Sequence, residues 1–525
     1  MGPEPTDAAA RQSALIAALK TAEAYPHSVS SIEIFETHIS WVITTGARAY
    51  KIKKAVKLDF LDFSTLELRR HYCEEELRLN RRWAPELYLD VVPIGGSYEH
   101  PSVGGDGSAI EYALRMVQFP QSAQLDNQLN AGRLREKDLF ALAETIASHH
   151  AGATIIEYAN DSESVRKVRA PMLENFAPLQ QVIDMDLLHR VQQWTANCLL
   201  ELKPALIQRR RDGFVRECHG DLHLANLVRL SGGIVPFDCV EFSAELRNID
   251  VISDIAFLAM DLVAQARQDL AYAFLNRYLE CTGDYAGMDV FGLYFVYHAM
   301  IRAKVAAIRS TERTLPELRQ QDIEDLKHNL AVAARWIEAP RPRLIAMHGY
   351  SGSGKTWLSS QLMSQLPAVR IRSDIERKRR LGLEETEGTE SAPGSGVYTE
   401  GARAGIYEYL METAERLLEA GFSVIVDASF LRRADRQRVL HLAERQHVAC
   451  VFVDTWADHD ELRRRLEERG KRGTDASEAD ISVLEHQLKH ADALDDAERE
   501  QTIRVASDAT VDIGHIIKML RRKSR

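Results

Sequence analysis

Residues 349–356 read GYSGSGKT. This spacing, G-x-x-x-x-G-K-[ST], constrains the fold more than any other stretch of the chain. Its chemistry requires a strand to deliver the loop and a helix to leave it, so that backbone N–H groups face an anion. Both flanks comply: an apolar run at 344–347 precedes the loop, and residues 356–366 can form a helix that stops before Pro367. The candidate phosphate-binding residues are Gly349, Gly352, Ser353, Gly354, Lys355 and Thr356. Lys355 is expected to reach the outer phosphate oxygens, and the Thr356 hydroxyl to ligate Mg²⁺.

The sequence after the loop alternates strand and helix: VRIRS, a helix through 399–420, SVIVDAS, another helix, ACVFVDTW, and a helix through 459–469. Alternation at this spacing predicts an α/β P-loop domain with a parallel sheet. The acidic, Gly/Ser-rich stretch 381–397 reads as a loop. Upstream, EAPRPR at 338–343 ends a helical stretch with two prolines. We therefore expect one domain over 1–340 and a second over 341–525, within the two to four domains that about 525 residues allow.

IRSDIER places Asp374 and Arg377 just past the second strand of this domain, and Asp427 ends the third as a candidate metal carboxylate. Together with VIVDASFLRRADR and RRRLEERGKRGTDASEAD, these motifs resemble the polynucleotide-kinase and zeta-toxin-like group of P-loop kinases. The resemblance covers nearly all of 341–500. It implies that Asp374 activates an acceptor hydroxyl and that Arg377 orients the substrate. It also implies lid arginines at Arg469 and Arg472. From the residues alone, Asp374 can also be a helix N-cap, although the D-x-x-R pairing and position favour the catalytic role; the two arginines can equally be an ordinary charged helix face.

The first part begins with short β-rich runs, SIEIFET, HISWVITTG and RAYKIKK. A helix follows over FSTLELRRHYCEEELRLNRRWA, with Ser64 or Thr65 as its N-cap. VVPI and EYALRMVQF add strands, and the chain then turns mostly helical to 337, apart from a β-like island at 214–242. Within that island, residues 219–228 read HGDLHLANLV. His219 and His223 have metal-ligand spacing, but Gly220 lies inside the helix that a zinc site would need, and the flanks read as strands. Asp221 and Asn226 instead have the spacing of a kinase catalytic loop, with Asp238 after the apolar run IVPF as a second metal ligand.

HGDLHLAN and FDCVEF resemble aminoglycoside phosphotransferase-like kinases, and the likeness extends over most of 30–310. It implies an α+β two-lobed protein-kinase-like fold. Asp221 would be the base, Asn226 and Asp238 the Mg²⁺ ligands, His219 a support of the loop, and His223 a neighbour of the site. It also implies a strand lysine paired with a helix glutamate. Lys51 is preferred over Lys53, and Glu76 over Glu74 and Glu75. The loop between the first two strands reads ETHIS and lacks a G-x-G-x-x-G pattern. Asp250 and Asp254 read as helix-start residues that support the loop.

A formal charge of −11 argues against bulk binding to nucleic acid. The six cysteines form no C-x-x-C pair, and no apolar run approaches a membrane span. The N-terminus has no basic segment before its apolar stretch, so a cytoplasmic protein is expected. The leading expectation is a bifunctional kinase using ATP and Mg²⁺ on small hydroxylated molecules or nucleotides. The alternatives are a nucleotide-sensing regulator with a degenerate first domain, and a toxin-like kinase acting on a nucleotide-sugar.

Overall fold

The computed structural model describes residues 7–58, 61–105, 107–180, 185–363, 365–385, 387, 400–472 and 477–523. Most of the 381–397 stretch lies outside them. The chain packs into two compact units, residues 1–159 with 209–258, and residues 160–208 with 259–525.

In the first unit, strands β1 (Glu33–Glu36), β2 (Ser40–Thr44) and β3 (Arg48–Lys53) form an antiparallel meander. It continues through β4 (Tyr88–Gly96), β5 (Pro101–Val103) and β6 (Glu111–Val117) as a six-stranded sheet in the order β1-β2-β3-β6-β4-β5. Strand β3 shows the period of two that sets up the site. Tyr50 and Ile52 enter a core with Ile43, Val92 and Ile94. Lys51 and Lys53 therefore share the opposite face.

Helix α1 (Leu66–Asn80) packs beside β4 and β6. Of the two candidate caps, Thr65 is the one used: its hydroxyl accepts from the Leu68 N–H at 3.2 Å. The buried face carries Arg69, Cys73, Glu76, Leu79 and Asn80 at helical spacing. Its polar members are matched: Arg69 pairs with Glu111 at 2.9 Å, and Asn80 accepts from the Cys239 N–H at 2.9 Å. Strands β7 (Leu227–Leu230) and β8 (Gly233–Pro236) form a hairpin in the register Leu227↔Pro236. Helix α2 (Val251–Ala264) follows. This sheet, helix and hairpin-bearing loop make an α+β unit.

The second unit contains a five-stranded parallel sheet. Its strands are β9 (Arg343–His348), β10 (Ala368–Arg372), β11 (Ser423–Asp427), β12 (Ala449–Trp456) and β13 (Thr502–Ala506), in the order β10-β11-β9-β12-β13. The sequence reading stopped at four strands and missed β13, whose five residues TIRVA include a charged arginine. Ile345, Met347, Ile425, Val453 and Ile503 from this sheet pack against Leu358 and Leu362 of the helix after the P-loop.

Segments from before residue 340 also belong to this unit. Trp336, in the helix Pro316–Ile337, stacks on Phe295 at 4.3 Å between ring centroids and meets Phe422 at 5.8 Å. Packing thus divides the chain elsewhere than at the proline break near 340. Among the described residues, no helix is long and apolar enough to cross a membrane.

Candidate active sites

In the first unit, the β7–β8 hairpin is what brings Asn226 and Asp238 together. They flank its open end, where the Phe237 N–H donates to the Asn226 carbonyl at 3.0 Å. Asn226 donates its side-chain amide to the Asp221 carboxylate at 2.9 Å and to the Asp221 carbonyl at 3.0 Å. This fixes the Asp221 rotamer and leaves the amide oxygen of Asn226, a hard donor, for a cation. Asp238 takes the left-handed conformation, with φ 63°. Its N–H donates to the Tyr88 hydroxyl at 3.0 Å, which holds this uncommon geometry in place.

Lys51 Nζ lies 2.8 Å from Glu76 and 2.5 Å from Asp238. Glu76 also receives Lys53 at 2.8 Å, and Lys53 in turn pairs with Glu241. Burial opposes the charge on Glu76, but the two lysines overcome it and hold the carboxyl below its usual range. Burial likewise opposes the charge on Lys51, and Asp238 and Glu76 raise its pKa well above the ordinary lysine value. For Glu241, burial prevails and pushes the carboxyl up. The sequence reading weighed Lys51 against Lys53. The structure separates them by exposure: Lys53 is sealed between two carboxylates, whereas Lys51 meets the half-exposed Asp238. The role of Glu241 in this network was missed, although it stands in the FDCVEF segment already singled out.

The loop is braced from below. The Asp254 carboxylate accepts from the N–H groups of His219 at 3.0 Å and Gly220 at 2.9 Å, and His150 lies 3.2 Å away. The Phe237 carbonyl can only accept, so His219 donates to it through Nε2 at 2.9 Å and receives the Asp221 N–H at Nδ1, 3.3 Å away. Burial lowers the His219 pKa, which suits this neutral tautomer. His223 Nε2 lies 3.4 Å from Asp221.

Gly220 has φ 85°, and a Cβ there would stand 2.7 Å from the Leu246 carbonyl oxygen. No side chain fits without moving backbone. Asp250 anchors elsewhere, in a pair with Arg209 at 2.6 Å. Ligand-type atoms of His150, Cys218 and Asp254 also lie close together. Burial raises the Cys218 thiol well above its usual value, and Asp254 already serves the loop, so the trio reads as a brace rather than a metal site.

In the second unit, a cleft of about 590 Å³ is lined by Lys355, Thr356, Asp374, Arg377, Asp427 and Arg469, with Gly352 and Gly354 beside them. Lys355 begins helix α3 (Lys355–Met363) and donates to the Gly349 and Tyr350 carbonyls at 3.0 and 2.8 Å. Burial lowers its pKa, while Asp427 and Asp374 act in the other direction. Gly349 has φ 136°, and a Cβ there would meet the Thr455 carbonyl oxygen at 2.3 Å, so the loop folds tightly onto β12. Ser353 fastens the same contact through the Thr455 hydroxyl at 2.7 Å.

Asp374 stands in the first turn of helix α4 (Ser373–Arg380), whose cap position is held by Arg372. It pairs with Arg377 at 3.0 Å. Burial opposes its charge, but Arg377, the Ser477 hydroxyl, Arg372 and Lys355 hold the carboxyl below its usual value. Arg469 donates to the Ala479 carbonyl at 2.5 Å. The Arg472 side chain lies outside the described residues. Arg372, Arg403, Arg432 and Arg465 also line the cleft and were not selected from the sequence. For Arg465 a signal was present: it precedes Arg469 by four residues, one helical turn. It donates to the Gly352 carbonyl at 3.3 Å and to Ser507 at 2.9 Å.

Comparison with known proteins follows these two regions. Residues 344–494 match the family model described as AAA domain, which spans the P-loop, Asp374, Arg377, Asp427 and Arg469. An uncharacterized protein of Mycobacterium tuberculosis is 29% identical over 450 residues, covering 85% of this chain and 88% of its own. A solved choline kinase from Cryptosporidium parvum aligns with 62% of this chain and 96% of its own, at 12% identity and a TM-score of 0.37. The APS kinase of Mycobacterium tuberculosis, in complex with AMPPNP and APS, aligns with 35% of this chain and 99% of its own, at 16% identity and a TM-score of 0.27. The family model thus falls on the P-loop part of the chain, and the uncharacterized Mycobacterium tuberculosis relative covers most of the whole chain.

Proposed function

We propose that the chain is a bifunctional phosphotransferase, with the catalytic residues of one site drawn from the stretch 1–340 and those of the other from 341–525. Each transfers the γ-phosphoryl group of ATP to a hydroxyl of a small molecule that is sugar-like, amino-sugar-like or nucleotide-like. The observation that carries this reading is the convergence of Lys51, Glu76, Asp221, Asn226 and Asp238. They come from four separate segments: Lys51, Glu76 and Asp238 are ion-paired, and the hairpin returns the chain from Asn226, which holds Asp221, to Asp238, as positioning for phosphoryl transfer requires.

In the first site, Asp221 takes the acceptor proton as the new P–O bond forms, and Asn226 keeps that carboxylate aimed. Lys51 holds ATP phosphates and is itself placed by Glu76. The Asn226 amide oxygen and the Asp238 carboxylate are hard oxygen donors, which fit Mg²⁺. In the second site, Gly349, Gly352, Ser353 and Gly354 shape the phosphate loop, and Lys355 meets the transferring group. Asp374 is the base, and Arg377 orients the acceptor. Arg469 and Arg472 offset charge on the phosphoryl oxygens. Thr356 and Asp427 fit a second Mg²⁺. A metal held by these residues would neutralise charge on the ATP phosphates in both sites.

The test is a metabolite-panel screen for ATP-dependent phosphorylation with wild type, Asp221→Ala and Lys355→Ala. Each variant is expected to lose a different set of products. Nucleotide binding with no turnover across the panel would favour a sensing regulator instead.

A further inference from the structure

Strand β10 lies at the edge of its sheet, so among the described residues one side of its backbone has no strand partner. Helix Gln268–Thr282 covers that side. The Asn276 side chain donates to the Ala368 carbonyl at 3.0 Å and accepts from the Arg370 N–H at 2.6 Å. It stands where the peptide of a neighbouring strand would stand.

One turn later on the same helix, buried Glu280 receives Arg370 through Nη2 at 2.7 Å and Nε at 3.2 Å. Arg370 Nη1 points the other way, to the hydroxyls of Ser360 at 2.7 Å and Ser359 at 3.1 Å. The Ser359 hydroxyl has a single proton and two acceptors at 3.0 Å, the Thr356 carbonyl and Asp427. With Arg370 donating to the Ser359 oxygen, that proton faces away from the guanidinium, and the carboxylate is the stronger acceptor. Glu280, Arg370, Ser359 and Asp427 are all buried, so water does not compete strongly for these bonds.

We propose that Glu280 and Arg370 are positioning residues for the P-loop site. They orient Ser359, which holds the Asp427 carboxylate in the rotamer that receives Mg²⁺. A helix lying before residue 340 in sequence is therefore part of the P-loop machinery. The inference rests on the phosphotransfer reading above, with Asp427 as the metal carboxylate.

The test uses the full chain carrying Asp238→Asn, which disables the first site's metal carboxylate. Binding of a non-hydrolysable ATP analogue is followed calorimetrically as Mg²⁺ is titrated. Glu280→Gln and Ser359→Ala are each expected to raise the Mg²⁺ midpoint about fivefold, the size of one net hydrogen bond. The double variant should show no further rise, and metal-free analogue affinity should stay within about twofold. A purely structural role would lower the melting temperature and leave the midpoint in place. If Glu280→Gln fails to fold, Ser359→Ala alone decides the relay. An unmoved midpoint with intact binding overturns the relay and spares the phosphotransfer reading. Absence of analogue binding at every Mg²⁺ level overturns both.

Discussion

Lys51 and Lys355 are the two lysines we propose to meet phosphates, and their surroundings are opposite. Lys51 is gripped by carboxylates from a helix and a distant loop, Glu76 and Asp238, which raise its pKa. Lys355 rests on two carbonyls of its own loop, and burial lowers its pKa. The first lysine is therefore a product of tertiary assembly, and the second of eight consecutive residues. Around the first, three carboxylates (Glu76, Asp238 and Glu241) meet two lysines, which favours a divalent cation. Around the second, arginines prevail, which favours direct contact with anions.

Chemistry should break first. Asp221→Ala is expected to lower transfer at the first site by about 10²–10⁴-fold, the range of a lost general base, while products of the second site persist. Product-resolved kinetics would check this. Folding should follow. Glu76→Ala leaves Lys53 beside Glu241 and removes one of the two carboxylate partners of Lys51 in a buried cluster. A cost of about 3–5 kcal/mol is expected, read as a fall in denaturation midpoint. Lys355→Ala leaves only carbonyls behind and should cost far less stability. If the two substitutions cost the same, the contrast between an assembled and a local lysine fails.

Backbone geometry gives the next effect. Gly349→Ala and Gly220→Ala each drive a Cβ against a carbonyl oxygen. Each should cost about 1–3 kcal/mol and disable only its own site. Thermal melts and product analysis together would separate the two losses.

The smallest effect concerns pH. The Asp374 carboxyl is held below its ordinary value of 3.8, so it is charged above that value. The stability it adds is present above the unfolded value and is lost as pH falls through the lower folded value. The second activity should therefore keep its base down to about pH 4, and a pH–rate profile losing this group near pH 6 would argue against the assignment.

What could be read from the sequence follows the same contrast. GYSGSGKT carries its strand, turn and helix within one window, so local pattern sufficed. Asp221 and Asn226 are also local, one loop apart. Asp238 was readable because a hairpin of fixed register returns the chain to Asn226. Glu241, Arg370 and Glu280 were not selected, because their roles depend on partners tens to nearly two hundred residues away. Strand β13 was missed for a related reason: an edge strand of five residues has little periodicity of its own. The packing of helices from before residue 340 with the P-loop sheet was equally hidden. The proline break at 338–343 only separates a helix from the strand after it, whereas contacts such as Trp336 with Phe422 join the two sides in one unit.

The central claim is that one chain holds two independent nucleotide sites. Calorimetric titration with a non-hydrolysable ATP analogue and excess Mg²⁺ tests it most directly. The account predicts two analogues per wild-type chain, and one per chain for either Lys355→Ala or Asp238→Asn. A single analogue per wild-type chain, or complete loss of binding in Lys355→Ala, would contradict it.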